Sequence, residues 1–329
     1  MELPPLALTM GEPAGIGGEI ALAAWRRLAG QGPVFLALDD PERLRRIGTA
    51  PVREIADAGE AAAVFPHALP VLPLGERVEV EPGRPDPAQA AAVVQSIVRA
   101  VSLTRAGAAA AVVTNPIHKA TLYAAGFGFP GHTEFLAELS GSTLPVMMLA
   151  GPSLRVVPLT VHIALAEVPR RLDQDGILAQ ARIVAEALRH DFGITAPRLA
   201  VAALNPHAGE EGAMGDEESR IITPALDRLR GEGIDVTGPL PADTMFHPRA
   251  RAAYDAALCM YHDQALVPVK TLHFDDAVNV TLGLPFVRTS PDHGTALGIA
   301  GRGVARPDSL IAAIELAAAM ARRRRETAA

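Results

Sequence analysis

The sequence predicts an α/β protein built on mainly parallel sheets, and three observations predict it. Short apolar runs alternate with amphipathic helical patterns along the whole chain. Hydrophobic residues make up 49% of the 329, enough for a substantial core, while aromatics supply only 4%, so Ala, Leu and Val must do the packing. Several apolar runs end directly on Gly, Asn, His or Asp, where open α/β sheets bind their ligands. At this length two domains are expected, although no composition shift or flexible linker marks a boundary.

Taken in order, residues 6–10 form a short apolar run followed by GEPAGIGGE, then by a helical pattern with Ile20, Ala24 and Leu28 on one face. The turn has neither dinucleotide-fingerprint nor P-loop spacing. It is either a tight turn or a wall of backbone N–H groups at a helix N-terminus. Residues 34–38 read as a second strand, with Asp40 as N-cap and Pro41 at the first position of the next helix. Residues 50–85 are less regular. A strong helical pattern covers 87–105, and 108–114 read as a buried strand ending on Asn115-Pro116-Ile117-His118-Lys119. A helix starts at Lys119, and the glycine-rich 126–134 carries His132 and Thr133 into another. Gly151-Pro152 marks a hairpin between 146–150 and 154–164, so antiparallel pairing enters the chain. A long amphipathic helix covers 173–192. Strand 199–204 precedes an acidic, glycine-rich loop, a helix follows over 219–229 with Pro224 in its first turn, and 236–240 is a further strand. Residues 256–260 are a buried strand ending on Tyr-His-Asp-Gln, followed by another apolar run and Lys270. Short strands at 279–282 and 286–288, a long loop and a closing helix over 310–323 complete the chain.

Composition removes several function classes. A formal net charge of −7 with no basic domain argues against a nucleic-acid surface. The one basic run, 322–325, ends a helical pattern and complements its dipole. The single cysteine, Cys259, excludes an intrachain disulfide and reads as a small buried hydrophobe in a reducing compartment. No signal-peptide pattern opens the chain, and apolar stretches are broken before ~18 residues. The expectation is a cytoplasmic protein with no membrane partner.

Of ten histidines, His67, His190, His247 and His273 read as structural. His162, His207 and His262 each follow an apolar run, and three neutral imidazoles suit zinc or a similar divalent ion. Their wide separation rules out a local zinc-finger spacing, so the fold would have to assemble the site. Lys270, Asn279 and Arg288 form a second set able to hold a phosphate or carboxylate, or else are surface polar groups. Asp243 and Asp263 are candidate partners that orient a histidine or a lysine. The absence of G-x-S-x-G disfavours a serine hydrolase.

Taken together, TMGEPAGIGGE (9–19), VVTNPIHKATL (112–122), GHTEFLA (131–137), TVHIAL (160–165), LNPHAGEEGAMGDEE (204–218), PLPADTMF (239–246), MYHDQALVPVK (260–270) and NVTLGLPFVRTSPDHGTALGIAG (279–301) resemble the PdxA family of 4-hydroxythreonine-4-phosphate dehydrogenases, in order and along essentially the whole chain. HGTALGIAGRGVARPDSL also resembles the cofactor loop of isocitrate and isopropylmalate dehydrogenases. The resemblance implies two α/β/α domains of that fold with an active-site cleft between them. One would be an outer domain of residues 1–130 plus 290–329 with the cofactor loop, the other a central domain of 131–289 with the metal ligands and dimer contacts. It implies His162, His207 and His262 as metal ligands, and His132, Thr133, Lys270, Asn279 and Arg288 as substrate-binding residues. Lys270 and Asp243 are the implied acid–base residues, and Asp292, His293, Gly294, Thr295 and Gly301 the cofactor wall. The cofactors implied are NAD or NADP and a divalent ion, zinc first, with magnesium or cobalt as alternatives. The partners implied are a small phosphorylated substrate and a second copy of the chain, in a homodimer with the active site at the subunit interface. The implied reaction is oxidation and decarboxylation of 4-phosphooxy-L-threonine to 3-amino-2-oxopropyl phosphate in vitamin B6 biosynthesis; the alternative substrate is threonate- or erythronate-4-phosphate. Two positions depart from the family pattern: Glu12, where Asp is usual, and Asn115, where Gly is common.

Overall fold

The computed structural model describes residues 3–142 and 144–328. Twelve strands follow one another among these residues: β1 (Leu6–Thr9), β2 (Phe35–Asp39), β3 (Val52–Glu54), β4 (Leu69–Pro73), β5 (Val112–Val113), β6 (Val146–Gly151), β7 (Leu154–Pro158), β8 (Arg198–Ala202), β9 (Asp235–Leu240), β10 (Ala256–Cys259), β11 (Val278–Leu282) and β12 (Arg288–Pro291). The chain divides into two compact units, Met1–Pro145 with Leu284–Ala329, and Val146–Gly283. No helix among the described residues is long and apolar enough to cross a membrane.

The first unit carries an all-parallel set in the order β3-β4-β2-β1-β5-β12. Strands β1, β2, β4 and β5 are mainly apolar because helices cover them. Helix Gly17–Leu28 buries Ile20, Ala24 and Leu28, as their spacing predicts, whereas helix Ala90–Arg105 buries Val93, Ile97 and Val101 and leaves Ala91 and Val98 of the expected face (Ala91, Val94, Ile97, Val98, Val101) exposed. Asp40 caps helix Pro41–Ile47 by accepting from Glu42 N at 2.8 Å. The strand expected over 108–114 shrinks to two residues. The N–H groups of Ala108 and Ala109 both turn back to Leu103 O and close the preceding helix instead. The last strand lies two residues later than expected, at Arg288–Pro291, because Phe286 leaves the ladder to pack in the core.

The second unit is mixed. β11 and β7 flank β6 antiparallel, and β7-β10-β8-β9 run parallel. The β6–β7 hairpin is the antiparallel element that Gly151-Pro152 announces. Helix Gln174–His190 is capped by Asp173, which accepts from Gly176 N at 2.7 Å, and it buries Ile177, Ala181, Val184 and Leu188. Cys259 is fully buried, and burial pushes its thiol pKa upward.

The boundaries expected at 130 and 290 move to 145 and 283. Helix His132–Ser140 packs Phe135 and Leu136 into the core of the first unit, together with Leu284 and Phe286. His132, Thr133 and Arg288 therefore belong to the first unit; Lys270, Asn279, Asp243 and the three candidate metal ligands belong to the second.

Candidate active site

In the second unit, β7, β10 and β8 are neighbours and parallel, so their carboxyl ends share one edge. His162, His262 and His207 follow those three ends. Leu159 N donates to Cys259 O at 2.8 Å and Thr160 Oγ1 to Met260 O at 2.7 Å, which ties the first two segments together. The His162 and His262 ring centroids lie 6.0 Å apart. With Thr160, Leu165, Val168 and Tyr261 they line a cavity of about 280 Å³. Asp263 Oδ1 lies 2.7 Å from His262 Nδ1. A carboxylate only accepts, so Nδ1 is the donor, and in the neutral ring that leaves the Nε2 lone pair for a ligand.

His207 behaves differently. Its side chain is 67% exposed, and its nearest ionic neighbour is Glu210 at 3.7 Å. Five consecutive residues, His207 to Glu211, have φ between 41° and 80°. For non-glycine residues the left-handed region costs roughly 1–2 kcal/mol each. His162 is left-handed too, with φ 53°. Among the described residues no group of three metal-ligating side chains forms. One chain thus brings together two of the three expected imidazoles. Those two, one fixed by a carboxylate and both on a small cavity, fit a divalent ion that takes nitrogen ligands.

The remaining candidates of this unit are spread out. Lys270 is half-buried on helix His262–Leu272, two turns beyond His262, with Pro268 inside that helix. Asn279 is half-buried on β11, and Asp243 is exposed on the one-turn helix Ala242–Met245. His273, expected to be structural, lies 2.8 Å from Ser153 Oγ and 3.3 Å from Asp276. This is the order of a hydrolase triad, but Arg251 also donates to Ser153 Oγ, and the cluster staples the β6–β7 turn.

In the first unit, β1, β5 and β12 are adjacent and parallel; Thr114 and Asp292 follow the carboxyl ends of β5 and β12, while Arg288 opens β12 and His132 opens a helix. Arg288 is 3% exposed and donates from Nη2 to Thr114 Oγ1 at 2.6 Å; burial lowers its pKa to about 10. His132 opens helix His132–Ser140, and its Nε2 is shut off from solvent with no hydrogen-bond partner. Burial holds its pKa well below the ordinary value, and the Arg288 and Lys119 charges push the same way. A Cβ on Gly131 would lie 3.5 Å from Lys119 Nζ, so this lysine reaches the same helix N-terminus. That end has no side-chain cap. Its free N–H groups, an orphaned imidazole and two cations make it a candidate anion site, although Glu134 Oε2 stands at the same 3.5 Å from that Cβ position as Lys119 Nζ. Thr133 is half-buried at the second helical position.

The long 292–301 loop leans on the glycine-rich turn after β1. Ile16 N donates to Thr295 O at 3.1 Å, and the Gly301 and Gly303 N–H groups both donate to the Glu19 carboxylate. Asp292 N bonds Ser309 Oγ at 3.2 Å, and His293 Nδ1 donates to Gly294 O at 2.9 Å. The two departures from the family pattern are both buried here. Asn115 Nδ2 donates to Thr9 O at 3.0 Å, and Glu12 accepts from Ala14 N at 3.0 Å. Burial raises the Glu12 pKa, against the opposing effects of that hydrogen bond, His118 and Arg43. Sequence reasoning missed Lys119 and Thr114, which show only as polar residues after an apolar run. It also missed the Asp39–Arg43 pair, whose arginine is 2% exposed and donates to Pro13 O at 3.0 Å under the glycine-rich turn.

A candidate anion site in one unit and a histidine pair at strand ends in the other define an α/β protein equipped to bind small ligands. The family model for the pyridoxal phosphate biosynthetic protein PdxA matches residues 34–317. A 4-hydroxythreonine-4-phosphate dehydrogenase of Methylorubrum populi is 58% identical over 97% of this chain and 95% of its own length. One of Bradyrhizobium diazoefficiens is 57% identical over 96% and 97%. The crystal structure of the Klebsiella pneumoniae enzyme of that name superposes with a TM-score of 0.88 at 40% identity, covering 97% of this chain and 98% of that one. The chain belongs to the PdxA family.

Proposed function

We propose that the protein is a metal-dependent NAD(P) oxidoreductase that oxidises and decarboxylates 4-phosphooxy-L-threonine to 3-amino-2-oxopropyl phosphate, a step of pyridoxal 5'-phosphate biosynthesis. The observation that carries this reading is the match to relatives named for that dehydrogenase over 97% of the chain. The geometry is consistent with it. The helix N-terminus at His132 and Thr133, with Arg288 and Lys119, takes the phosphate, whose negative charge offsets the desolvation of the buried guanidinium. Lys270 and Asn279 are further substrate-binding residues, with Lys270 or Asp243 moving the alcohol proton. His162, His262 and, from this chain or a second copy, His207 hold the ion. When bound, a divalent ion supplies Lewis-acid polarisation of the alcohol and of the carbonyl it becomes, zinc suiting the imidazole donors. The loop from Asp292 through His293, Gly294 and Thr295 to Gly301 would form the wall for NAD or NADP, which would supply the hydride acceptor.

The same reading makes the protein a cytoplasmic homodimer. Leu165, Val267 and Phe274 of the second unit are 66%, 62% and 79% exposed, large apolar side chains suited to cover by another copy. The test is a metal-supplemented assay of reduced cofactor at 340 nm with 4-phosphooxy-L-threonine and each cofactor, with the oligomeric state measured in parallel. Turnover is expected in the wild type and abolished in His262→Ala. Turnover only with threonate- or erythronate-4-phosphate would move the substrate to the alternative, and full activity of His262→Ala would sink the metal assignment.

A further inference from the structure

We infer that Glu218 is the positioning residue that presents His207 to the metal ion, an inference that rests on the metal reading above. Glu218 is 6% exposed, and its carboxylate is spent on the loop that carries His207. Oε1 accepts from Leu204 N at 2.9 Å and from Asn205 N at 2.8 Å. Oε2 accepts from Asn205 Nδ2 at 3.0 Å. Gly209 folds back onto the same oxygen, where a Cβ would stand 2.8 Å from Oε2. Asn205 and Gly209 each lie two residues from His207. The Glu218 carboxylate therefore bonds the loop just before the imidazole, where Asn205 Nδ2 also donates to Glu217 Oε2 at 2.8 Å, and abuts Gly209 just after it, without bonding the ring.

The grip explains why this loop holds an unfavourable backbone. A left-handed run persists only where the surroundings over-determine it. At its ends the run is held by neutral backbone bonds, Ala208 N to Asn205 O at 3.2 Å, Ala213 N to Glu210 O at 3.0 Å and Met214 N to Gly209 O at 3.0 Å. Three donors on one buried carboxylate are charge-assisted, and stronger than these. The far end of β8 is fixed as well, by Gln264 Nε2 donating to Ala203 O at 2.7 Å from the helix that begins with His262. The strand end that delivers His207 and the helix that delivers His262 are thus registered on each other just before Glu218 takes over. Without the carboxylate, two backbone N–H groups lose their acceptor and the left-handed residues are free to relax. His207 then keeps its identity but loses its direction.

The experiment compares wild type, Glu218→Gln, Glu218→Ala and His207→Ala, all full-length and metal-stripped, for zinc affinity by competition with a chromophoric chelator. Thermal stability of the metal-free proteins and zinc titration of turnover are read alongside. Glu218→Ala should bind zinc about 10–100-fold more weakly, the range for a group that orients a ligand. Glu218→Gln, which keeps one acceptor oxygen, should fall between it and wild type, and excess zinc should restore kcat in both. Glu218→Gln also serves if the alanine variant fails to fold. A lowered Tm with unchanged zinc affinity would make Glu218 merely structural and overturn the inference. If His207→Ala binds zinc like the wild type, His207 is no ligand, and the metal reading fails together with the inference. If His207→Ala loses affinity and both Glu218 variants keep it, only the inference fails.

Discussion

The two units hold their functional residues in opposite ways. In the first, the cost is electrostatic: Arg288 is 3% exposed, and His132 is kept neutral by burial and by two neighbouring cations, on backbone outside the left-handed region. In the second, the cost is conformational: the His207 side chain is 67% exposed, but His207 and His162 sit at φ 52° and 53°. Under the proposed function, the difference follows from what each would bind. An anion needs an excess of positive charge in a dry place, and its arrival offsets the desolvation. A metal ion needs lone pairs pointed at one spot, and the backbone sets that direction.

The comparison breaks most visibly at Arg288. Arg288→Met removes a buried charge at similar volume, so the fold should be as stable or more so. KM for the phosphorylated substrate should rise by about 100-fold, the loss of roughly 2–3 kcal/mol of charge-assisted hydrogen bonding. Thermal denaturation and steady-state kinetics on one preparation check both halves. A large fall in Tm with unchanged KM would make Arg288 a structural residue and erase the contrast.

His132 gives a smaller, pH-dependent effect. Its folded pKa is held below the ordinary 6.5, so between the two values the unfolded chain binds the extra proton. Stability therefore rises with pH through that window, and falls as pH drops from about 6.5 toward the folded value. Denaturant unfolding from pH 7.5 to 5 should show this acid limb in the wild type and a flatter one in His132→Gln. Identical limbs would mean that His132 is not held neutral by the fold.

How much of this was legible depended on range. Asp40, Asp173 and the strand end at His262 are local signals, and the structure has caps and a strand end there. The state of His132 is not local: the charge of Arg288, from a distant strand, adds to burial and Lys119 in holding it neutral. Glu218 belongs to the run Asp216-Glu217-Glu218, which reads as an acidic surface loop. Nothing nearby says that one of the three turns inward to strand β8. The left-handed run was invisible for a stronger reason. Four of its five residues are His, Ala, Glu and Glu, and Ala and Glu have no preference for that region, so local propensity points away from the structure. Where sequence and backbone disagree in this way, function is the first explanation to test.

The smallest effect tests that disagreement directly. Ala208 has φ 55° and stands next to His207. Ala208→Gly removes the left-handed penalty of one residue but adds freedom to the unfolded chain. The two nearly cancel, leaving a gain on the order of 0.5 kcal/mol, or about 1 °C in Tm for a chain of this size. Elsewhere in a folded segment the same substitution normally lowers stability, so even a Tm equal to wild type is informative. Zinc affinity should change in the opposite sense, because a glycine beside His207 lets the loop leave the ligating geometry. A clear loss of stability in Ala208→Gly would show that the run is not strained, and the second unit would then hold its histidine by side-chain contacts, as the first does.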